Sequence, residues 1–252
     1  MKVALATSEN YPNLSPDDSE LAGELGALGV EAAPAIWSDP AIDWNTFDGI
    51  VLRSCWDYHL QPDAFARWID SLQVPLFNPR EVVRWNMHKS YLFDLAARGV
   101  LIPRTEIVRD VIVKPAISAS AHNTHYMRGE TIVQEFVEEI VRDGEWSIVF
   151  FDRSFSHSAK KIPKQGDFRV QEEHGGTSLP VPAPQHVIDG AANILSKVEG
   201  DVLYARVDVV DRPRGVTLME LELIEPWLFL KLLPGMTRRF AEAIVKRLEP
   251  RR

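Results

Sequence analysis

Hydrophobic and polar positions along the first third of the chain alternate between two periods. Three mostly apolar runs are typical of buried strands: residues 2–6, 30–36 and 49–53. Between the first two, Leu21, Leu25 and Leu28 recur at helical spacing, and Ser15 followed by Pro16 is typical of a helix start. Strands that alternate with crossover helices predict an α/β fold with a doubly wound parallel sheet.

Beyond residue 85 the pattern changes to consecutive strands. Apolar spacing predicts a helix over residues 87–98, and strand-like runs follow it at residues 104–108, 111–114, 131–137, 146–151 and 155–161. Residues 202–210 and 216–224 are predicted as a hairpin, with helices over 187–198 and 238–248. Consecutive strands favour antiparallel sheets and an α+β second half. We therefore predict two domains, over residues 1–80 and 81–252.

The stretch LMELELIEPWLFL, residues 218–230, places three glutamates in an apolar run. Glu220 and Glu222 would share one face of a strand, where two like charges repel each other. A bound divalent cation relieves that repulsion, and Asp208 in the hairpin partner could supply a third oxygen ligand. An edge strand with solvated glutamates is the alternative. The pattern favours a Mg²⁺ site, with Mn²⁺ as a second possible metal.

Composition and charge limit the partners of the protein. The formal net charge is −8 over 252 residues, so the chain lacks the general positive field of a nucleic-acid-binding protein. No apolar run reaches about 18 residues, and no membrane partner is expected. The single cysteine, Cys55, excludes an internal disulfide framework and fits a reducing compartment, which predicts a cytoplasmic protein. Cys55 itself is better explained as a small buried hydrophobe than as a reactive thiol.

Positive side chains are gathered at a few places. Lys114 ends an apolar strand before Pro115, and Lys89 lies in the predicted helix. A further group surrounds the segment GDFR: Lys160, Lys161, Lys164 and Arg169. Each group is either a solvated surface or a clamp on phosphates. The chain has neither a P-loop nor a GxGxxG motif.

The order of these residues along the whole chain resembles the ATP-grasp ligases. Lys89 in NMHKSYL and Lys114 in VIVKP match the two phosphate-binding lysines of that family. Glu145 in DGEWS matches the acidic residue on the ribose hydroxyls. The segment VQEFV resembles the hinge where adenine docks, which implies adenine contacts by Gln134, Glu135 and Val137.

Three further matches concern catalysis. KKIPKQGDFRVQEEHGG is similar to the ribosomal-protein glutamate-adding ligases and glutathione synthetases, which implies that Lys160 and Arg169 contact phosphates or substrate. The carboxylates of Asp208, Glu220 and Glu222 match the metal triad. Arg206 matches the arginine that D-alanine–D-alanine ligases aim at the tetrahedral oxyanion. The segments ATSENYP, VLRSCWDYH and EVVRWNMHK resemble the branch that contains the cycloserine-forming ligase.

The loop RSCWDYH is expected to bind substrate, because it follows a predicted parallel strand at the end where such sheets bind ligands. Arg53 could hold a carboxylate and Asp57 could accept an ammonium group. Trp56 and Tyr58 could exclude water from the pocket. The alternative is an ordinary surface turn with an Arg–Asp pair.

The resemblance implies a Rossmann-like substrate domain over residues 1–80 and an ATP-grasp domain over residues 81–252. It also implies a Mg²⁺- and ATP-dependent carboxylate–amine ligase that makes an acyl phosphate on a small amino-acid-like substrate, with a cycloserine-type ring closure as one form. A homodimer is a compatible assembly. A small-molecule kinase and a non-catalytic nucleotide-gated binding module are the alternatives.

The sequence departs from the family pattern in the region that would cover the phosphates. Lys89 and Lys114 are 25 residues apart, and Lys114 and Gln134 are 20 residues apart. Both spacings are shorter than the family pattern, and Ser and Ala replace the glycines of the lid. Glu222 stands where many relatives carry asparagine, so this site is more anionic.

Overall fold

The chain folds around three sheets in the part that the computed structural model describes, residues 1–117, 119–170 and 175–249. The first sheet has four parallel strands in the order β2-β1-β3-β4. These strands are β1 (Lys2–Thr7), β2 (Glu31–Ile36), β3 (Gly49–Ser54) and β4 (Leu76–Phe77). Helices α1 (Leu21–Ala27) and α2 (Pro62–Ser71) belong to the crossovers, which confirms the predicted parallel sheet.

The second half contains the two antiparallel sheets. Strands β5 (Thr105–Val113) and β6 (His125–Gln134) form a sheet of their own. The larger sheet has the order β11-β10-β7-β8-β9. Its strands are β7 (Glu145–Phe151), β8 (Ser154–Ile162), β9 (Thr177–Leu179), β10 (Tyr204–Arg212) and β11 (Gly215–Glu222). The predicted antiparallel arrangement is therefore confirmed.

Helices complete the second half. They are α3 (Arg80–Asn86), α4 (Tyr91–Ala97), α5 (Glu138–Asp143), α6 (Gln185–Ser196) and α7 (Met236–Leu248). Helix α6 buries Val187, Ala191 and Ile194 in the same core as Val207 and Leu221 of the larger sheet. None of the helices within the described ranges is long and apolar enough to cross a membrane.

Two predicted helices differ from those observed. The helix predicted over residues 87–98 is shorter in the structure: residues 87–90 form a turn and α4 covers Tyr91–Ala97, while α3 (Arg80–Asn86) precedes the predicted range. The turn forms because Asn86 is tied to β11 by its side-chain amide, and Lys89 then reaches Glu220. The first helix begins at Leu21 rather than after Ser15, since the side chain of Asp18 bonds to Ser15 and Arg53 and holds the chain in turns.

The predicted strands at residues 104–108 and 111–114 form one strand, β5. It contains a bulge between Arg109 and Val111, and Asp110 there has a positive φ of 51°. The bulge breaks the alternation of side chains, so the sequence suggested two strands instead of one.

The two halves share a hydrophobic core. Val3, Leu5 and Leu21 of the first half pack in one cluster with Tyr204 and Phe240 of the second. Cys55 is fully buried in the neighbouring cluster, and burial raises the pKa of its thiol well above the usual range. The interpretation of Cys55 as a buried hydrophobe fits this position.

Two buried asparagines on either side of residue 80 form hydrogen bonds to the backbone of the second half, and those of Asn78 join the two halves. The Asn78 side chain donates to the carbonyls of Tyr204 and Leu223, both at 2.8 Å, and accepts from the N–H of Leu203 at 2.6 Å. Asn86 makes two more bonds to β11 and the residue that follows it. The division at residue 80 stays a prediction, and these bonds cross it or lie beside it.

Candidate active site

A cavity of about 580 Å³ lies where the loops of the first sheet meet β10 and β11. Both halves of the chain contribute to its walls. Lining residues include Tyr11, Trp56, Tyr58, Asn86, Lys89, Tyr91, Lys161, Arg206, Glu220, Glu222, Glu225, Trp227 and Phe229. The cavity combines aromatic walls with charged groups from the larger sheet, which is the usual composition of a small-molecule site.

Strand pairing brings the three predicted metal ligands together. In the β10–β11 register, Asp208 lies opposite Glu220 and Arg206 lies opposite Glu222. One carboxylate oxygen from each of Asp208, Glu220 and Glu222 lies within 4.8 Å of the others. An all-oxygen set at this separation suits a hard divalent cation such as Mg²⁺. The residues present therefore fit the predicted metal.

Cationic side chains surround the carboxylates. Arg206 bonds to Asp208 at 2.9 Å and also pairs with Glu222, and Lys89 pairs with Glu220. Burial opposes ionisation of Asp208, yet Arg206 and Lys161 outweigh it and hold the pKa of Asp208 below its usual range. Burial raises the pKa of Glu222 to about 7 against the pull of Arg206. Carboxylates and cations thus offset each other's charge in this cluster. A bound metal and an anionic ligand would replace some of these ion pairs.

Lys161 is a buried member of this cluster that the sequence did not single out. Its Nζ lies 2.8 Å from Asp208 and also pairs with Glu145. Burial lowers the pKa of a lysine, but Asp208 and Glu145 outweigh that effect and raise it to about 12. The neighbouring Lys160 points to the other face of β8, over the ring of Trp146 at 4.6 Å. The alternation of side chains along β8 was the signal that could have separated the two lysines.

Glu145 does not occupy the position that the resemblance implied. It is 7% exposed, paired with Lys161, and absent from the cavity lining. Burial raises the pKa of its carboxyl, with Lys161 opposing the shift. These contacts argue against a direct bond from Glu145 to a ribose.

Apart from Lys89, which lines the cavity, the other predicted nucleotide residues lie outside it. In the hinge, Gln134 donates to the hydroxyl of Thr105 at 3.0 Å and Glu135 bonds to Arg212 at 2.8 Å, while Val137 is buried. Lys114 is exposed just beyond β5. Arg169 is exposed and pairs with Asp167 at 2.7 Å. The structure therefore does not gather these residues, and their roles stay predictions.

The loop over residues 53–59 divides into two pairs. Trp56 and Tyr58 line the cavity, whereas Arg53 and Asp57 do not. Asp57 instead accepts a hydrogen bond from the indole nitrogen of Trp37 at 2.8 Å. Its position gives no support to the predicted contact with a substrate ammonium group.

Arg53 is part of the core rather than of the pocket. It is 1% exposed, its Nε bonds to Asp18 at 2.9 Å, and its Nη2 bonds to the Pro226 carbonyl at 2.9 Å. The guanidinium also lies over the rings of Tyr204 and Phe240. These contacts contradict the prediction that Arg53 binds a substrate carboxylate, because its donors face protein acceptors in a closed environment.

Sequence reasoning gave no role to three residues of the cavity: Tyr11, Glu225 and Trp227. Glu225 is the third glutamate of the stretch 218–230. Unlike Glu220 and Glu222, it was not assigned to a face of the predicted strand. Trp227 stacks on Trp56 with ring centroids 5.7 Å apart. For Glu225 and Trp227, proximity in sequence to residues 220 and 222 was the available signal.

Comparison with known proteins points to one class. A family model described as "D-cycloserine synthetase DcsG, N-terminal domain" matches residues 3–78. The "Cycloserine biosynthesis protein DcsG" of Streptomyces lavendulae is 28% identical over 296 residues, which cover 98% of this chain and 99% of that protein. Because the aligned region is longer than the 252 residues of the chain, the relative has segments that this chain lacks.

Solved structures agree with this result. The crystal structure of D-cycloserine synthetase DcsG has a TM-score of 0.82 and 25% identity, covering 99% of this chain and all of that one. The ATP-grasp ligase PsnB, in complex with minimal precursor, Mg and ADP, has a TM-score of 0.60 and 12% identity, covering 98% and 97%. Over nearly the whole chain, the fold is that of D-cycloserine synthetase and of ATP-grasp ligases such as PsnB. Within that class, the chain resembles the cycloserine-forming ligase.

Proposed function

We propose that the protein is a Mg²⁺- and ATP-dependent ligase that forms a C–N bond, or closes a ring, on a small amino-acid-like substrate. The triad Asp208, Glu220 and Glu222, whose oxygens lie within 4.8 Å of one another beside Arg206, carries this proposal. The similarity to cycloserine synthetase over 98% of the chain supports a cycloserine-type product. The single cysteine supports a cytoplasmic location, and a homodimer stays a prediction.

The reaction proceeds in two steps. The substrate carboxylate attacks the γ-phosphorus of ATP, the bond to the β-phosphate oxygen breaks, and ADP leaves with its electron pair. A nitrogen of the substrate or co-substrate then attacks the acyl carbon, inorganic phosphate departs, and the nitrogen loses a proton. Both steps are dominated by positioning and charge compensation.

Residues of the chain supply much of that compensation. Mg²⁺, or Mn²⁺ in its place, would be held by the triad and would offset charge on the transferring phosphoryl group when bound. Arg206 is fixed by Asp208 and by the Trp227 carbonyl at 3.0 Å, so its charge is already oriented for the oxyanion of the second step. Lys89 lines the cavity and is available for phosphate once a metal binds Glu220.

Product analysis tests the proposal. The protein would be incubated with Mg²⁺, ATP and a panel of amino acids, including 3-aminooxy and 3-amino compounds that can close a ring. ADP and free phosphate should form together with a C–N bond visible as loss of water by mass spectrometry. A phosphorylated product would identify a kinase instead. Mg-ATP binding without turnover on any member would indicate the non-catalytic binding module.

The phosphate-binding role predicted for Lys114 can be tested separately. Lys114→Ala is expected to weaken ATP binding more than Lys164→Ala, although both lysines are exposed. Lys114 directly follows β5, which limits its direction, whereas Lys164 lies in the loop after β8. Titration of both variants with a fluorescent nucleotide measures the difference. Equal affinities would show that Lys114 is an ordinary solvated lysine.

A further inference from the structure

Glu225 is an acidic side chain in the cavity that the proposed metal site does not use. It follows β11 and lines the cavity with Glu222, yet it is not among the three carboxylates whose oxygens cluster within 4.8 Å. Within the described chain, no other residue donates a hydrogen bond to its carboxylate or forms an ion pair with it. Its backbone is fixed, because its carbonyl accepts the indole N–H of Trp56 at 2.9 Å.

The surroundings of Glu225 are aromatic. Trp56 stacks on Trp227 with an angle of 15° between the rings, and Tyr11 meets Trp56 edge-on at 4.9 Å. Tyr58 lines the same cavity, and burial, followed by the charge of Glu225, raises the pKa of its phenol. Burial also raises the pKa of Glu225 well above the usual range, with Glu222 and Glu220 adding to the shift. A cation beside Glu225 would lower that pKa and hold the side chain as a carboxylate.

An organic cation fits these surroundings better than a second metal ion. Hard metals require several oxygen ligands, and Glu225 is not among the carboxylates that cluster within 4.8 Å, whereas it shares the cavity with Trp56, Trp227 and Tyr58. An ammonium group can donate to a carboxylate while its remaining surface lies against aromatic faces, which attract cations. The chemistry therefore matches an α-ammonium group beside a carboxylate that is to be activated.

We propose that Glu225, with Trp56 and Trp227 as walls, binds the ammonium group of the substrate. This inference rests on the proposed function, since it places an amino acid in the cavity with its carboxylate toward the metal triad. Glu225 thereby takes the role that the sequence suggested for Asp57. The enzyme would select substrates that carry a free amine over hydroxy-acid analogues of the same shape.

Two small achiral probes test this selection without turnover. Glycinamide carries an ammonium group at pH 7, and glycolamide has a hydroxyl in the same place. Tryptophan fluorescence of the full chain, to which Trp56 and Trp227 contribute two of seven tryptophans, should show binding of glycinamide at least about tenfold tighter than binding of glycolamide. Glu225→Gln should abolish that preference while the melting temperature and the stabilisation by Mg-ATP stay unchanged.

Two further variants make the test specific. Glu249→Gln makes the same chemical change at an exposed site and should keep the preference. The preference should also survive Asp57→Asn. The proposal is overturned if wild-type protein shows no preference, if Glu225→Gln retains it, or if Asp57→Asn removes it. Failure of the proposed function has another signature, which is the absence of Mg-ATP stabilisation in the wild-type protein.

Discussion

Glu220→Gln is expected to lower ATP turnover by at least about tenfold, because it removes one of the three carboxylates proposed to hold the metal against the phosphates. Glutamine keeps the size of the side chain, so the change isolates the charge. Glu220 lies opposite Asp208 in the β10–β11 register, and no other carboxylate of the triad can move along its strand to replace it. ADP release under saturating substrate, measured over a range of Mg²⁺ concentrations, gives the effect.

The same variant should remain folded. The pair between Glu220 and Lys89 is partly exposed, with 34% and 55% of the two side chains accessible, and such pairs contribute only about 0–1 kcal/mol. Thermal melts should therefore show a normal midpoint without ligand and a loss of the shift on adding Mg-ATP. Glu249→Gln serves as the control for one lost surface charge. Unchanged turnover together with an unchanged Mg-ATP shift would rule out the metal assignment.

Arg53→Ala destabilises the protein by about 3–5 kcal/mol, because it leaves Asp18 buried without its partner. Both side chains are 1% exposed, so water cannot replace the lost ion pair. The arginine also connects β3 to the carbonyl of Pro226, which precedes the cavity residue Trp227. Urea unfolding, followed by tryptophan fluorescence and by circular dichroism, measures the loss of stability.

A second pair of variants separates charge from packing at this site. Arg53→Met combined with Asp18→Asn removes both charges and keeps most of the volume, and it should recover a large part of the lost stability. If Arg53→Ala instead left stability intact and raised only the KM for the amino-acid substrate, Arg53 would be a binding residue after all. The buried geometry would then require an opening of the core on binding.

Sequence patterns predicted the larger sheets and the closeness of Asp208, Glu220 and Glu222, because both depend on local periodicity. Continuous apolar runs identify buried parallel strands, and the alternation Met-Glu-Leu-Glu over residues 219–222 fixes which glutamates share a face. Pairing with Asp208 followed from the apolar context of β10. The cluster of three oxygens is a direct consequence of that register.

Other features depend on contacts between distant parts of the chain. Arg53 can be buried because it is paired with Asp18. That partner lies 35 residues earlier in the chain, in a turn, and no periodicity within β3 indicates it. The break between α3 and α4 is imposed by Asn86 bonding to β11, although helical spacing continues through it. The role proposed for Glu225 depends on the stacking of Trp56 on Trp227, which brings two distant segments of the chain into the same cavity.

The hydrogen bonds of Asn78 have a consequence for the recombination of this protein with its relatives. This side chain forms hydrogen bonds with the backbone of Leu203, Tyr204 and Leu223. In addition, Val3 and Leu5 pack in the same hydrophobic core as Phe240. A first domain transplanted from a relative would match neither these hydrogen-bonding positions nor the shape of this core. Exchange of substrate specificity by swapping residues 1–80 would therefore require the contacting parts of β10, β11 and α7 to be transferred with them. The two halves have to vary together as one inherited unit.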